Sequence, residues 1–204
     1  MDLYDAMRSA GTTRRFRPDP VPLEVIHRVL DNARFAPNGG NRQGWRVIVV
    51  TDPGRRKRLR DLYQRPWAEY LRVRGTPAPA VQDFAENFHL APVHLVVLVR
   101  LAALAVTDRD LPRQSIVGGG SIYPFVHNLL LGLRAEGIGA ALTTVGIADE
   151  PAVFRELRVP DEGWAMAALI VAGHPEGKLP SRLRRREVAE FATREAFDGD
   201  PLTT

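Results

Sequence analysis

The sequence predicts a layered domain of the mixed α/β or α+β class, and three features carry that expectation. Segments with helical spacing of apolar residues alternate with short β-branched runs from one end of the chain to the other. No internal repeat and no linker-like stretch divides residues 1–204, so a single domain is expected. Hydrophobic residues fill 45% of the positions, enough for one core or for a core that a partner completes.

Asp2 can cap a first helix, with Asp5 at the third position of a capping-box-like start. Leu3, Ala6, Met7 and Ala10 then form one apolar stripe, and Gly11 ends it. Residues 12–17 are polar and extended, closed by the turn signal Pro18-Asp19-Pro20. A second helix starts at Pro22 and sets Val25, Ile26, Val29, Leu30 and Ala33 on one side. Residues 36–41 break it. Residues 45–51 are short and β-branched and read as a buried strand.

Residues 55–70 predict a charged helix with Leu59, Leu62 and Tyr63 inward, broken or kinked at Pro66. A loop at 75–79, a short helix near 81–88 and a strong strand at 94–101 follow. Residues 109–120 read as a loop ending in three glycines. The most apolar helix, 121–136, takes Ser121 as its cap and Gly137 as its stop. Ile122, Phe125, Val126, Leu129, Leu130 and Leu133 cover more than half its circumference, which suits a core or a subunit interface. Two further strands, 138–144 and 165–172, flank a small helix at 150–157. The tail from His174 carries Pro175, Pro180 and a run of arginines before Val188-Ala189-Glu190-Phe191.

Composition removes several function classes. With no cysteine there is no thiolate nucleophile, disulfide, iron–sulfur ligand or Cys-type zinc site. The five histidines show no His-x-His or HExxH spacing, and no glycine-rich loop ends in Lys-Ser/Thr. The apolar runs 95–99 and 101–106, interrupted by Arg100, are too short for a membrane helix. The acidic start has no apolar h-region, so a cytoplasmic protein is expected. Net charge is +4, and only Lys57 and Lys178 among 28 basic residues are lysine. Arginine suits phosphate and carboxylate, although a compositional bias would give the same preference.

Three constellations remain. A hydroxyl and two arginines in extended Thr12-Thr13-Arg14-Arg15-Phe16 can hold a phosphate; alone, the segment reads better as a solvated basic loop. The run 36–45 (Ala-Pro-Asn-Gly-Gly-Asn-Arg-Gln-Gly-Trp) holds more Gly, Asn and Gln than a turn needs. Its glycines let backbone amides approach a planar ligand, and Asn41 and Gln43 can donate and accept. The third, Ser181-Arg182-Leu183-Arg184-Arg185-Arg186, lacks the aromatic interleaving or recognition helix that nucleic-acid binding would call for.

In this order, the features resemble the nitroreductase family of flavoproteins over nearly the whole chain. The family opens Arg-Arg-Ser-x-Arg-x-Phe and Pro-Val-Pro, here Ala10 to Phe16 and Pro20-Val21-Pro22. Its block Ala-Pro-Ser-x-x-Asn-x-Gln-Pro-Trp matches 36–45, and later blocks match His127-Asn128-Leu129-Leu130-Leu131, Gly137-Ile138-Gly139, Thr143-Thr144 and Gly173-His174-Pro175. The resemblance implies an α+β three-layer sandwich, a central mixed sheet flanked by helices, in an intertwined homodimer. It implies FMN as cofactor, NADH or NADPH as donor and a small electron-poor acceptor (a nitroaromatic, quinone or enone), without nucleic acid or membrane. Flavin sites would lie between subunits, with helix 121–136 central to the interface and an arm, 174–204, reaching onto the partner.

Residue by residue, Thr12 and Arg14 match positions near the ribityl phosphate, and Arg185, with Arg184 beside it, matches the late arginine. Pro37, Asn38 and Gly39, with Asn41 and Gln43, match the wall along the isoalloxazine. The segment Thr143, Thr144 to Gly146 matches the one whose amide points at flavin N5. No catalytic side chain and no metal ligand is implied. The chain departs from the pattern at Ala10 and Gly11 (both Arg in the family), Asn38 (Ser), Gly44 (Pro) and Glu187 (Pro). The missing arginines should weaken a phosphate grip unless Arg8, Arg15 or a partner-chain arginine substitutes. Same-fold alternatives are a flavin-consuming or azoline-oxidising enzyme that dispenses with NAD(P)H, or a non-enzymatic flavin-binding protein.

Overall fold

Two strands with apolar residues on both faces can lie only where both faces are covered, and they form the middle of the sheet. These are β2 (Val93–Arg100) and β4 (Trp164–Gly173), whose inner residues Leu95, Val96, Val97, Ile170 and Val171 are fully buried. The strands β1 (Trp45–Val50) and β3 (Gly139–Thr143) flank them in the order β1-β2-β4-β3, every pairing antiparallel. The computed structural model describes residues 1–203.

Helices cover both faces, giving three layers. On one face α2 (Leu23–Ala33) and α5 (Tyr123–Ala135) set Ile26, Val29, Phe125, Leu129 and Leu133 against Leu95, Val97 and Ile170. On the other, α3 (Pro53–Arg74), α4 (Pro79–Asn87) and α6 (Glu150–Leu157) bring Tyr63, Trp67, Phe84, Phe88 and Phe154 onto Val96, Leu98 and Val171. The first helix, α1 (Leu3–Ser9), lies beside α5 and is capped by Asp2, which accepts from the Asp5 amide at 2.8 Å. No helix among the described residues is long and apolar enough to cross a membrane.

The α+β class is as expected, and five details differ. The sheet is antiparallel strand by strand; its parallel character is confined to one bridge between Thr12 and Ala140. β1 is an edge strand and only partly buried, because it has a neighbour on one side alone. α3 runs unbroken through buried Pro66, with Tyr63 and Trp67 anchoring the turns on either side. Ser121 caps no helix: it closes a short 3₁₀ turn (Val117–Ser121), and its buried Oγ accepts from the Ala105 amide at 3.0 Å. Of the α1 stripe, only Ala6 is buried; Leu3 and Met7 are exposed, since this chain offers α1 little beyond the end of α5 to pack on. Val188, Phe191 and Phe197 in the tail are exposed in the same way.

Candidate functional site

The opening block is held at the β3 edge. The Thr13 amide donates to the Ala140 carbonyl at 2.8 Å, and Gly139 makes the approach possible, since a Cβ there would come within 2.7 Å of the Thr13 side chain. The tail then folds back antiparallel along the same segment. Arg17 donates to His174 at 2.8 Å, Glu176 to Arg15 at 3.2 Å and Leu183 to Arg8 at 2.8 Å, all through backbone groups. Leu183 packs on Gly11, so Arg184 and Arg185 follow at the Thr12 end of the opening segment, more than 160 positions later in the chain, and the register of the pairing runs them toward α1 and away from Arg14.

Thr12 and Arg14 sit two apart in the segment along the β3 edge and line different clefts, Thr12 toward α5 and Arg14 beside Phe16 and Glu176. Both are exposed, as are Arg184 and Arg185. No carboxylate among the described residues lies within 4.0 Å of any of these three arginines. Arg15 pairs with Asp83 on α4 at 3.3 Å, so the structure does not bring it to Thr12. The departure at Gly11 also has a cause: a Cβ there would meet Leu183 Cδ2 at 2.8 Å and Pro180 Cγ at 3.1 Å. The tail fills the space a side chain would need.

Between this edge and α5 runs a cleft lined by Ala10, Gly11, Thr12, Arg134, Ala140 and Leu142, among others. Sequence reasoning missed Arg134. The available signal was a guanidinium placed one turn after Leu130 in an otherwise apolar helix. Where β3 ends, Thr143 Oγ1 lies 3.1 Å from the Tyr63 hydroxyl and accepts from the Val145 amide at 3.3 Å. Thr144 is exposed, and Gly146 is buried against the Tyr63 ring. Burial pushes the Tyr63 phenol up, with the hydrogen bond to Thr143 opposing it. Tyr63 read from sequence as core alone; its hydroxyl also orients the strand exit.

The second constellation lies elsewhere. Residues 37–43 precede β1, at the opposite edge of the sheet and at the opposite end of the strands. Three strand spacings across and seven residues along separate the two regions by roughly 25 Å. This loop is closed on itself. The Asn38 amide group donates to the Ala36 carbonyl at 3.3 Å, and its Oδ1 accepts from the Gln43 amide at 2.9 Å. Gly40, Asn41 and Gln43 have φ of 65°, 51° and 49°, a left-handed turn that leaves Pro37, Asn41 and Gln43 exposed. Gly39 packs against Ala105 and Ser121, and Gly44 has no room for a ring, since a Cβ there would lie 2.3 Å from that of Ala103. Glu187 closes a capping box with Glu190 in the tail, accounting for the absence of proline there.

The segment near residues 107–117 is organised by one carboxylate. Buried Asp108 accepts from the Ile116 amide at 2.9 Å, Ser115 Oγ at 2.7 Å and Arg113 at 2.8 Å, which together hold it well below the usual carboxylate range.

Known proteins resemble this chain over most of its length. The family model described as "Nitroreductase family" matches residues 7–174. A 5,6-dimethylbenzimidazole synthase of Rhodospirillum rubrum is 30% identical over 169 residues, 82% of this chain and 79% of its own length. An NADH dehydrogenase of Thermus thermophilus is 28% identical over 199 residues, covering 90% and 92%. Among solved structures, an oxidized iodotyrosine deiodinase bound to FMN and 3-iodo-L-tyrosine superposes with a TM-score of 0.75 at 23% identity, over 96% of this chain and all of the other. A match that begins inside α1 and ends just after β4 takes in every strand and helix that builds the two corners, and the chain belongs to the nitroreductase family.

Proposed function

We propose that the chain is an FMN-dependent oxidoreductase that takes hydride from NADH or NADPH and delivers it to a small electron-poor acceptor such as a nitroaromatic, quinone or enone. The observation that carries the reading is the cationic corner at the β3 edge. There Leu183 of the tail packs on Gly11 and sets Arg184 and Arg185 at the Thr12 end of the segment, and no carboxylate among the described residues lies within 4.0 Å of Arg14, Arg184 or Arg185. Hydroxyl and guanidinium donors free of ion pairs fit a phosphate monoester. When bound, FMN supplies two-electron transfer between nicotinamide and acceptor. The chain's own part is to hold and orient. Thr143, tied to Tyr63, would fix the exit of β3 so that backbone amides between Thr144 and Gly146 face the ring.

The roughly 25 Å between this corner and residues 37–43 supports a homodimer in which one copy supplies the phosphate end and its partner the ring wall. The exposed apolar residues Leu3, Tyr4 and Met7 of α1, and the tail residues Val188, Phe191 and Phe197, fit a chain whose arm reaches onto that partner.

A second reading is favoured by the names of the relatives: a synthase of 5,6-dimethylbenzimidazole at 30% identity points to same-fold flavin chemistry without NAD(P)H. One experiment addresses both. The purified protein should be yellow, or gain a flavin spectrum with added FMN, and NADH or NADPH should bleach it anaerobically. A protein that stays colourless with FMN refutes the flavin reading; one that binds FMN but resists both nucleotides favours the second.

A further inference from the structure

We infer that Arg134, on α5, is the phosphate-binding cation that takes over from the arginines this chain lacks at positions 10 and 11; the inference rests on the FMN reading above. The guanidinium lies where those side chains would start. Its Nε donates to the Ser9 carbonyl at 3.2 Å and to Ser9 Oγ at 3.0 Å, and its Nη2 donates to the Pro180 carbonyl at 3.2 Å. It is therefore pinned between the residue before Ala10 and the tail segment that packs on bare Gly11. Together with Ala10, Gly11 and Thr12 it lines the same cleft.

Three contacts spend Nε and Nη2. Nη1 has no acceptor among the described residues and is not among the buried atoms left without one. No carboxylate among the described residues lies within 4.0 Å of the group, so none of them neutralises its charge. A guanidinium held at two nitrogens loses little further freedom on binding, which favours a directed, charge-assisted bond to phosphate oxygen. The small residues at 10 and 11 then make sense as a pair. The tail occupies the room their side chains would have used, and the cation arrives from the helix behind.

The test is flavin binding by fluorescence quenching, with FMN and riboflavin compared on the same preparations. Wild type should prefer FMN. Arg134→Gln should weaken FMN roughly ten- to hundredfold while moving riboflavin less than about threefold. Arg134→Lys keeps a cation and a donor toward Ser9 and Pro180, and should lose FMN only severalfold. It also serves if the glutamine variant unfolds. Equal losses of FMN and riboflavin would show that Arg134 only ties α1 to the tail, and an unchanged FMN affinity in the glutamine variant would overturn the inference. Wild type that binds neither flavin would instead refute the FMN reading itself.

Discussion

The two ends of the sheet are built on opposite plans. At the β3 corner the chain covers its own edge: Thr12 bridges to Ala140 of β3, the tail lies on residues 8–17, and arginines stand on the opening segment, on α5 and on the tail. At the β1 corner nothing among the described residues pairs with the outer edge, and the preceding loop satisfies polar groups internally through Asn38. One corner presents several cations without ion pairs; the other presents an ordered rim of Gly, Asn and Gln with the single cation Arg42. On the proposed reading the contrast makes each corner half of a site, one suited to a phosphate and the other to a planar ring.

The strongest test of that contrast is complementation between two defective chains. Arg185→Glu should disable the β3 corner and Pro37→Trp, at an exposed position, the β1 corner, each leaving flavin content near zero. Unfolded and refolded together, half of the dimers are mixed, and each mixed dimer has one intact site. Flavin binding should recover to about a quarter of wild type under twofold symmetry. No recovery, with both chains folded and dimeric, would mean that the two corners do not share a ligand.

Glycine substitutions probe the corners separately. Gly139→Ala drives a methyl into Thr13, and Gly44→Ala drives one into Ala103, so each should cost about 1–3 kcal/mol by overpacking. Hydrogen exchange should then rise at the Thr13 amide in the first variant and at the Arg100 amide, which donates to Gly44, in the second. If each change loosens both corners equally, they do not behave as independent units.

Acid loads both corners at once through the central strand. His94 on β2 is fully buried, its Nε2 lies 3.1 Å from the Phe88 carbonyl, and burial pulls its pKa down to about 3 from 6.5. The unfolded chain therefore takes up the proton first. The contribution is fully present above pH 6.5 and is lost as pH falls from there toward 3, roughly 2 kcal/mol by pH 5. Urea titrations at pH 7.5 and 5.0 should show that loss. Equal midpoints would indicate that His94 accepts its proton in the fold.

The smallest expected effect is at Arg15. Its pairing with Asp83 is exposed on both sides, so Arg15→Ala should change stability by no more than about 0.5 kcal/mol. FMN affinity should stay within twofold, whereas a tenfold loss would place Arg15 at the β3 corner in solution.

Much of this was legible before any coordinates. The strands at β2 and β4 are continuous apolar runs, and the spacing of Ile26, Val29, Leu129 and Leu133 predicts their helix faces, because burial periodicity is local. Other features depend on what meets what. Leu3 and Met7 have ideal spacing but no surface within this chain to cover them. Pro66 is a helix breaker in isolation, yet packing carries α3 through it. Ser121, beside three glycines, read as a cap because the demand of the distant Ala105 amide is invisible in one dimension.

The sequence by itself determined the element order, the family blocks and the residue types suited to an anion and to a planar ring. These rest on local spacing, which survives any arrangement of the elements. Only the tertiary structure decided which of those residues share a corner. It separated 37–43 from Thr12 and Arg14, turned Arg15 toward Asp83, and put Arg134 beside Ala10 and Gly11. Such choices depend on how the tail folds back and on which strands lie at the edges. They are fixed by non-local pairing, and one-dimensional spacing carries no record of it.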